Sequence, residues 1–339
     1  MADPLNDEFS AADWERLREL RERFLEPKNS EAAANDYWLN ARDFELYDAT
    51  FARRIRWKWD AVLAELALRG VAIEPESVVD WGCGTGIASR AFCAAFPGAE
   101  RVHLCDRSKH ATWFARAAWV AEHGEADLSL REPAQDEPID ALLASHVLGE
   151  LDAVGLEALL ALASRARVVV WVEAGTREIA RRLSGLRGEL LERFDVLAPC
   201  THRSECGALK RESDWCHFFA RPPAEVFTSP FWSRFSAELS IDLRALPYTF
   251  LALERRGDRD PNAPGAARLV GRPRRLKGRA LLDVCDASGV RELALLERTD
   301  KAMFKRLDRA GEVSVVDVDA DGERIQRIAP RFGPSTAGS

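Results

Sequence analysis

The sequence predicts an α/β protein in which a parallel sheet, covered by helices on both faces, is the central unit. Short apolar runs alternate with helical stretches from Glu76 to about residue 194, which is the pattern of successive β-α-β units. An aromatic-rich helical region precedes this pattern, and a cysteine-rich part follows it. The expected boundaries are 1–75 for the helical region, 76–195 for the sheet domain, 196–256 for a cysteine-rich insert with a returning strand, 257–330 for a basic linker with a β-hairpin and helix extension, and 331–339 for a disordered tail.

Composition restricts the class of protein further. The chain has 339 residues, of which 47% are hydrophobic and 30% are charged, as is typical of a globular protein of about two domains. Its net charge of −7 disfavours a broad basic face for nucleic acid, so any RNA contact is expected to be local. The acidic N-terminus lacks the features of a secretory or mitochondrial signal, and no apolar run reaches membrane-spanning length. A cytoplasmic protein without a membrane or DNA partner is therefore expected.

The N-terminal region is predicted to be helical. Residues 11–26 have apolar side chains at helical spacing, and Pro27 with the Asn29-Ser30 pair is expected to end that helix. A second helical stretch, from about Ser30 to Gly70, is rich in tryptophan, tyrosine and phenylalanine and is expected to pack on the sheet. A nucleic-acid surface is the alternative, because cations interleave with two tryptophans in this stretch: Arg53, Arg54, Arg56 and Lys58 with Trp57 and Trp59.

Five strands and four helices form the expected sheet domain. The strands are expected at Ser77–Trp81, Arg101–Cys105, Leu128–Leu130, Ala141–Ser145 and Arg167–Val172, with helices near 86–97, 108–123, 152–164 and 176–194. Beyond Glu192 the pattern breaks into a loop-rich stretch, and a further strand is expected at Ile241–Glu254. A Pro/Gly/Arg-rich linker is expected from Gly257 to Gly278, followed by a hairpin of Leu281–Cys285 and Glu292–Leu296.

A glycine-rich turn follows the first strand, in Val78-Val79-Asp80-Trp81-Gly82-Cys83-Gly84-Thr85-Gly86. Such a turn lets a ligand approach the backbone and the helix N-terminus. The G-x-G-x-G spacing with an acid two places earlier resembles motif I of class I S-adenosylmethionine-dependent methyltransferases, and this implies a Rossmann-like class I methyltransferase sheet. The resemblance implies that Asp106, 20 residues after Gly86, binds the ribose hydroxyls and that Asp80 lies near the methionine ammonium. The expected cofactor-binding residues are Asp80, Gly82, Cys83, Gly84, Gly86, Asp106 and Ser145.

The fourth strand ends in Ser145-His146-Val147-Leu148-Gly149-Glu150. No catalytic residue can be assigned from this segment. The Asn/Asp-Pro-Pro-Tyr/Phe motif of amino-group methylases is absent, and so is the cysteine nucleophile of cytosine-C5 methylases. His146 is interpreted as a packed histidine, with a role as general base as the alternative.

Four cysteines are candidate ligands of one metal site. Cys200, Cys206 and Cys216 are closely spaced, and Cys285 follows after a longer gap. Four thiolates suit either tetrahedral zinc or a [4Fe–4S] cluster, and spacing alone does not choose between them. Separately buried cysteines are the alternative. The C-x3-C-x2-C pattern of radical enzymes is absent.

The segments around these cysteines resemble a known family. Ala198-Pro199-Cys200-Thr201-His202, Cys206 and Asp214-Trp215-Cys216-His217-Phe218 are similar to mitochondrial small-ribosomal-subunit methyltransferase-like proteins and their bacterial relatives. Segments 47–59, 145–151 and 172–176 add to a resemblance that covers about residues 35 to 310. The resemblance implies a structural [4Fe–4S] cluster on Cys200, Cys206, Cys216 and Cys285, and association with the small ribosomal subunit and its rRNA. The sequence departs from the family at Thr201 and Gly207, where the family often has proline.

Three functions follow from these residues as hypotheses. The first is an S-adenosylmethionine-binding methyltransferase-like protein that acts on or assembles the small ribosomal subunit. The others are a non-catalytic assembly factor with a vestigial cofactor site and a small-molecule methyltransferase with structural zinc. The segment from Arg268 to Arg279 has six cations and no acid. It is interpreted either as a solvated linker or as a loop that presents cations to rRNA phosphates.

Overall fold

The computed structural model describes residues 9–25, 38–125, 127–257, 266–307 and 313–332. The predicted helix end at Pro27 to Ser30, part of the predicted linker and residues 333–339 of the predicted tail lie outside these residues. No helix in the described ranges is long and apolar enough to cross a membrane.

The described residues of the N-terminal region form three α-helices and one π-helix. Their bounds are α1, Ala11–Leu25; α2, Ala41–Tyr47; a π-helical turn, Asp48–Ala52; and α3, Arg53–Leu68. Trp57 and Trp59 are buried in the main core, 8% and 0% exposed, which confirms the prediction of a helical region packed on the sheet. Lys58 is buried between them, so this segment does not form the alternative nucleic-acid surface.

The large sheet contains eight strands. Their bounds are β1, Ser77–Trp81; β2, Arg101–Cys105; β3, Asp127–Ser129; β4, Ile139–Ser145; β5, Ala166–Ala174; β6, Phe194–Ala198; β7, Phe218–Ala220; and β8, Leu246–Arg255. The helices between them are α4, Ile87–Ala95; α5, Lys109–His123; α6, Ala153–Ala163; α7, Arg177–Leu190; α8, Glu225–Thr228; and α9, Pro230–Glu238. The five strands and four helices predicted for the sheet domain all lie within a few residues of these positions.

The strand order of the sheet is β3-β2-β1-β4-β5-β8-β6, with β7 paired to β8. Strands β1 to β5 pair in parallel, whereas β8 runs antiparallel to both β5 and β6. The central strands are buried on both faces, because helices cover the two sides of the sheet. The predicted fold class is confirmed.

Two strand predictions around the insert are corrected. Residues 194–198, expected to end a helix and begin a loop, form the fully buried strand β6 against β8. The strand expected from Ile241 begins at Leu246, since Asp242 accepts hydrogen bonds from the backbone and guanidinium of Arg244 in a turn. Both differences depend on β8, whose pairing partners are distant in sequence.

The C-terminal part is a closed five-stranded barrel. Its elements are β9, Ala266–Leu276; β10, Arg279–Asp286; β11, Gly289–Leu296; α10, Lys301–Arg306; β12, Val315–Asp321; and β13, Arg324–Pro330. The order around the barrel is β10-β11-β13-β12-β9. The predicted hairpin corresponds to β10 and β11.

The basic segment is a strand of this barrel, which corrects its interpretation as a linker or loop. Arg268 is only 3% exposed, and its guanidinium contacts the carboxylate of Glu65 on α3. Further along β9, Arg272 and Arg274 are exposed, and the residue between them is half-buried. The barrel is joined to the sheet here, because the Gly271 amide donates to the His217 carbonyl across 2.8 Å.

Candidate cofactor site and cysteine site

The glycine-rich turn between β1 and α4 has a backbone that suits glycine. Gly82, Gly84 and Gly86 have φ angles of 69°, 53° and 75°. A Cβ on Gly82 would lie 2.5 Å from Cγ1 of Val147, whereas a Cβ on Gly84 would meet nothing within 4 Å. The turn is therefore packed against the end of β4 at Gly82, and it borders open space at Gly84.

Asp106 holds the turn from the end of β2. One carboxylate oxygen accepts the Gly84 amide at 2.9 Å, and the other accepts the Ser108 amide at 2.8 Å. Burial raises the pKa of Asp106, although these two hydrogen bonds oppose the shift. A carboxylate offers about four acceptor positions, so Asp106 can also accept ligand hydroxyls.

Asp80 lies beneath the turn. Its Oδ2 accepts the Ser89 amide of α4 at 3.0 Å, and its buried Oδ1 has no hydrogen-bond partner among the described residues. Burial raises the pKa of Asp80 to about 7. An unsatisfied buried carboxyl oxygen is costly, and a ligand ammonium group is a partner of the required kind.

A cavity of about 420 Å³ opens at the carboxyl ends of the strands, which is the size of a small-molecule site. Of the predicted cofactor residues, Gly82, Cys83, Gly84, Asp106 and Ser145 line it. Asp80 and Gly86 are not among the lining residues, since they lie below the turn and at the start of α4. The cavity includes His146, the alternative general base, and side chains that the sequence did not point to: Trp38, Tyr47, Ile55, Trp81, Leu130, Glu132 and Glu150.

The N-terminal helices form one wall of this cavity. Tyr47 precedes the π-helical turn, and π-helical turns are frequent at functional sites. Arg90 on α4 fixes the turn, because its guanidinium bridges Asp48 and Glu122. The sequence did not place these helices at the cavity, since this wall depends on how they pack over the sheet.

A partly buried contact between a lysine and a histidine adjoins the cavity. Nζ of Lys58 on α3 lies 3.4 Å from Nε2 of His146, which follows β4. His146 has a φ of 57°. Residues other than glycine rarely adopt this backbone conformation, and those that do are often found at functional sites. Burial lowers the pKa of Lys58 to about 7 and, together with the charge of Lys58, that of His146 well below its usual value.

Glu173 on β5 supports the same segment. Its Oε1 accepts the amides of Val147 and Leu148 and the indole NH of Trp171, at 2.8 to 3.0 Å. Burial raises the pKa of Glu173 to about 7. A sequence signal for Lys58 did exist, since it lies three and four residues from Ile55 and Val62 on an apolar helix face.

The four predicted metal ligands line a second, smaller cavity between the sheet and the barrel. Cys200, Cys206, Cys216 and Cys285 all border it, and its volume of about 20 Å³ exceeds the ~10–15 Å³ that one water requires. Burial raises the pKa of Cys216 well above its usual value, and the charges of the other three thiols add to this. The structure thus brings together cysteines up to 85 residues apart. No group of His, Cys, Asp or Glu in the described ranges is arranged to hold a single metal ion.

Arginines hold the loops that carry the cysteines. Nε of Arg187 on α7 donates to Sγ of Cys200 at 3.2 Å, and its other nitrogens donate to the carbonyls of His202 and Ser204. Nη1 of Arg181 donates to three further carbonyls of the insert, those of Ala208, Arg211 and Asp214. This role of α7 was not foreseen from the sequence.

The two departures from the family pattern each have a structural reason. The Thr201 hydroxyl donates to the Ala266 carbonyl at 3.1 Å and so ties the insert to β9. Gly207 packs on the β10–β11 turn, where an added Cβ would lie 2.6 Å from Cα of Gly289. A side chain at residue 207 would therefore push this turn, and with it Cys285, away from the other cysteines.

The fold and the site together define a class of protein. A sheet of this order with one antiparallel strand, a glycine-rich turn after β1 and an acid at the end of β2 is the arrangement of class I S-adenosylmethionine-dependent methyltransferases. A family model described as mitochondrial small ribosomal subunit Rsm22 matches residues 49–311. The chain belongs to this Rsm22 family. No curated protein sequence matches it.

Two solved structures that are similar to this chain are methyltransferases. Magnesium protoporphyrin IX methyltransferase from Synechocystis, with bound S-adenosylmethionine, is 18% identical with a TM-score of 0.36, over 73% of this chain and 100% of that one. Ribosomal protein L11 methylase from Lactobacillus delbrueckii is 20% identical with a TM-score of 0.34, over 57% and 77% of the two chains. These similarities concern the fold and do not extend to the substrate.

Proposed function

We propose that this protein binds S-adenosylmethionine, transfers its methyl group to rRNA of the small ribosomal subunit and carries a structural [4Fe–4S] cluster. The observation that carries the proposal is the cofactor-sized cavity bordered by the Gly82–Gly86 turn and Asp106, in a chain of the Rsm22 family. The family description supports the small subunit as the partner, and the cavity supports binding of the cofactor.

The chain's own residues suit this cofactor, which supplies an electrophilic methyl group on a sulfonium. The carboxylate of Asp106 accepts the ribose hydroxyls, while the turn at Gly84 leaves space beside its backbone. Asp80 lies below the turn, and its buried Oδ1, which has no hydrogen-bond partner among the described residues, would favour a ligand ammonium above the turn. Trp81 and Leu130 provide the apolar walls that a planar base requires.

A proton acceptor is available where β4 ends. His146 lines the cavity, and burial keeps its imidazole neutral at pH 7, so Nε2 or Nδ1 can accept a proton from an attacking amino group or hydroxyl. Lys58 lies against Nε2 and can relay that proton, because its pKa of about 7 leaves much of the amine neutral. Glu173 positions this segment through the amides of Val147 and Leu148.

The donor set of the second cavity fits a cluster. Four thiols converge there, and thiolates are the ligands that bind [4Fe–4S] clusters. Cys200, Cys206 and Cys216 come from the insert and Cys285 from β10, so the cluster would join the insert to the barrel. Its proposed role is structural, since none of the described residues that line this cavity also lines the cofactor cavity.

Methyl transfer is the test of the first function. Small-subunit particles from cells that lack the protein are incubated with tritiated S-adenosylmethionine and the anaerobically purified chain. We expect incorporation into rRNA that is lost in His146→Ala and retained in His110→Ala, an exposed histidine outside the cavity. Absence of incorporation at saturating cofactor, with binding intact, would contradict catalysis.

One observation favours a second candidate, a non-catalytic assembly factor. The side chains at the end of β4 have partners inside the protein, since the Trp59 indole donates to the Ser145 hydroxyl at 2.9 Å and Lys58 contacts His146. Such a factor would bind the cofactor and the particle without incorporation. Metal analysis tests the zinc alternative: about four irons and sulfides per chain support the cluster, whereas one zinc supports a small-molecule enzyme.

A further inference from the structure

Three aromatic rings form a row where the large sheet meets the barrel. Trp215, His217 and Phe219 occupy alternate positions leading into and along β7, and all three are half-buried. The rings of Trp215 and His217 stack with centroids 4.5 Å apart, and that of Phe219 lies edge-on 5.4 Å from His217. We call these three residues the aromatic row.

The residues between them point the other way. Cys216 borders the cysteine cavity, and Phe218 is buried against the main core. Successive side chains of an extended segment alternate between faces, so the insert presents the aromatic row on one face and a proposed cluster ligand on the other. The position of the row is thereby coupled to that of the cysteines.

An arginine from the barrel extends the aromatic row. The guanidinium of Arg272 on β9 lies over the Phe219 ring, 4.2 Å from its centroid, and Arg272 itself is exposed. Gly271 allows this approach, because an added Cβ there would lie 3.1 Å from the His217 ring. Arg274, two residues further on β9, pairs with Asp283 and Glu292, so its charge is largely neutralised.

The barrel that carries Arg272 has the strand order of an OB-fold. Counted along the barrel, the order is 1-2-3-5-4-1, with strands 3 and 5 parallel and a helix between strands 3 and 4. OB-folds bind oligonucleotides on the face of strands 2 and 3 and on the loops beside it, where bases stack on aromatic rings and cations follow the backbone. Strand 1 pairs with strand 2 next to that face. The outer face of strand 1, here β9, leads directly to the aromatic row.

We infer that the aromatic row and Arg272 form a binding site for single-stranded RNA. Bases would stack on the rings of Trp215, His217 and Phe219, and the guanidinium of Arg272 would contact a phosphate or stack on a base. The ligand is single-stranded, because paired bases do not offer their faces to protein rings. The inference rests on the proposed action on rRNA and names the surface that contacts it.

Fluorescence anisotropy with an unstructured RNA of about 12 nucleotides, comparable to an OB-fold site of ~4–16 nucleotides, tests the site. The probes are this strand and the duplex formed with its complement, and the protein is the anaerobically purified full chain. We expect the chain to bind the single strand at least tenfold more tightly than the duplex. Equal binding of both, or binding of neither, would overturn the inference.

Two variants locate the site. Phe219→Leu and Arg272→Gln should each raise the Kd for the single strand about tenfold, with matched controls on α5, Trp113→Leu and Arg116→Gln, unchanged. Trp113 is 61% exposed and Arg116 is also exposed, so the controls remove the same chemistry from another surface. Unchanged binding by both Phe219→Leu and Arg272→Gln would overturn the site, provided that their thermal melting matches that of wild type.

Failure of this inference is distinguishable from failure of the proposed function. Methyl transfer to particles tests the function at the cofactor cavity, whereas oligonucleotide binding needs no cofactor. Single-strand binding that depends on Phe219, in a chain without transferase activity, would keep the inference and remove the catalytic proposal. Transferase activity, with oligonucleotide binding unaffected in both Phe219→Leu and Arg272→Gln, would keep the catalytic proposal and remove the inference.

Discussion

Nζ of Lys58 lies 3.4 Å from Nε2 of His146, so that an amine from the N-terminal helices contacts the segment that follows β4 beside the cofactor cavity. The contact joins two regions 88 residues apart. It places a buried amine and a half-buried imidazole together. Both groups are less basic than in water, because burial disfavours their charged forms.

The first prediction concerns the pH dependence of stability. Between pH 7 and 8.5 folded Lys58, with a pKa of about 7, holds fewer protons than the unfolded side chain, whose pKa is 10.5. The unfolding free energy therefore rises with pH, by up to about 1.4 kcal/mol per pH unit from this group. In Lys58→Met this contribution should be absent, and the variant should exceed wild type in stability most at pH 7.

Urea unfolding of both proteins at pH 7.0 and 8.5 measures this effect. Lys277→Met, which removes an exposed amine from the β9–β10 turn, serves as the control and should follow wild type. A constant difference between Lys58→Met and wild type at the two pH values would contradict the lowered pKa.

The second prediction concerns cofactor affinity. Asp106→Ala removes the carboxylate that accepts the Gly84 amide and borders the cavity, so the Kd for S-adenosylhomocysteine should rise at least tenfold, or about 1.4 kcal/mol. Isothermal titration calorimetry measures it. Asp127→Asn, which changes an exposed carboxylate on the neighbouring strand, should leave the Kd unchanged. Wild-type affinity in Asp106→Ala would remove Asp106 from the cofactor site.

The third prediction concerns the packing of the glycine-rich turn. Gly82→Ala places a Cβ 2.5 Å from Cγ1 of Val147 at a φ of 69°, so its unfolding free energy should fall by about 2–3 kcal/mol. Gly82→Ala in a Val147→Ala background should lose at least about 1 kcal/mol less, since the clash is absent.

Gly124→Ala is the control for backbone strain alone. Gly124 has a φ of 80° and nothing within 4 Å of an added Cβ, so the variant should lose only about 1 kcal/mol. Chemical denaturation compares the variants. Equal losses for Gly82→Ala with and without Val147 would show that the turn does not pack on the end of β4.

The fourth prediction concerns the cysteine site. Cys216→Ser should lower iron content and melting temperature in anaerobic preparations, because it removes a proposed ligand between the insert and the barrel. Cys93→Ser, at a buried thiol on α4 away from that cavity, is the matched control. Equal iron content and equal melting of the two variants would contradict a cluster on Cys216.

Much of the fold was predictable because it depends on local patterns. The β-α-β alternation placed β1 to β5 within two residues of their ends, and the hairpin of β10 and β11 followed from its turn residues. Strands β6, β7, β9, β12 and β13 were not predicted. Phe194–Ala198 forms a strand because it pairs with β8, which is distant in sequence. The cation-rich sequence of β9 is typical of a loop, and it can be buried at Arg268 because Glu65 neutralises that charge.

The glycine-rich turn, the acid that holds it and the four cysteines could be recognised from local sequence, because spacing and residue type are enough to specify a backbone conformation and a donor set. Three relationships became visible only in the folded chain: Lys58 contacts His146, the cysteines border one cavity, and the aromatic row adjoins Arg272. These relationships join segments tens of residues apart. Their physical cause is the packing of the helices and the barrel on the sheet, which no local pattern encodes.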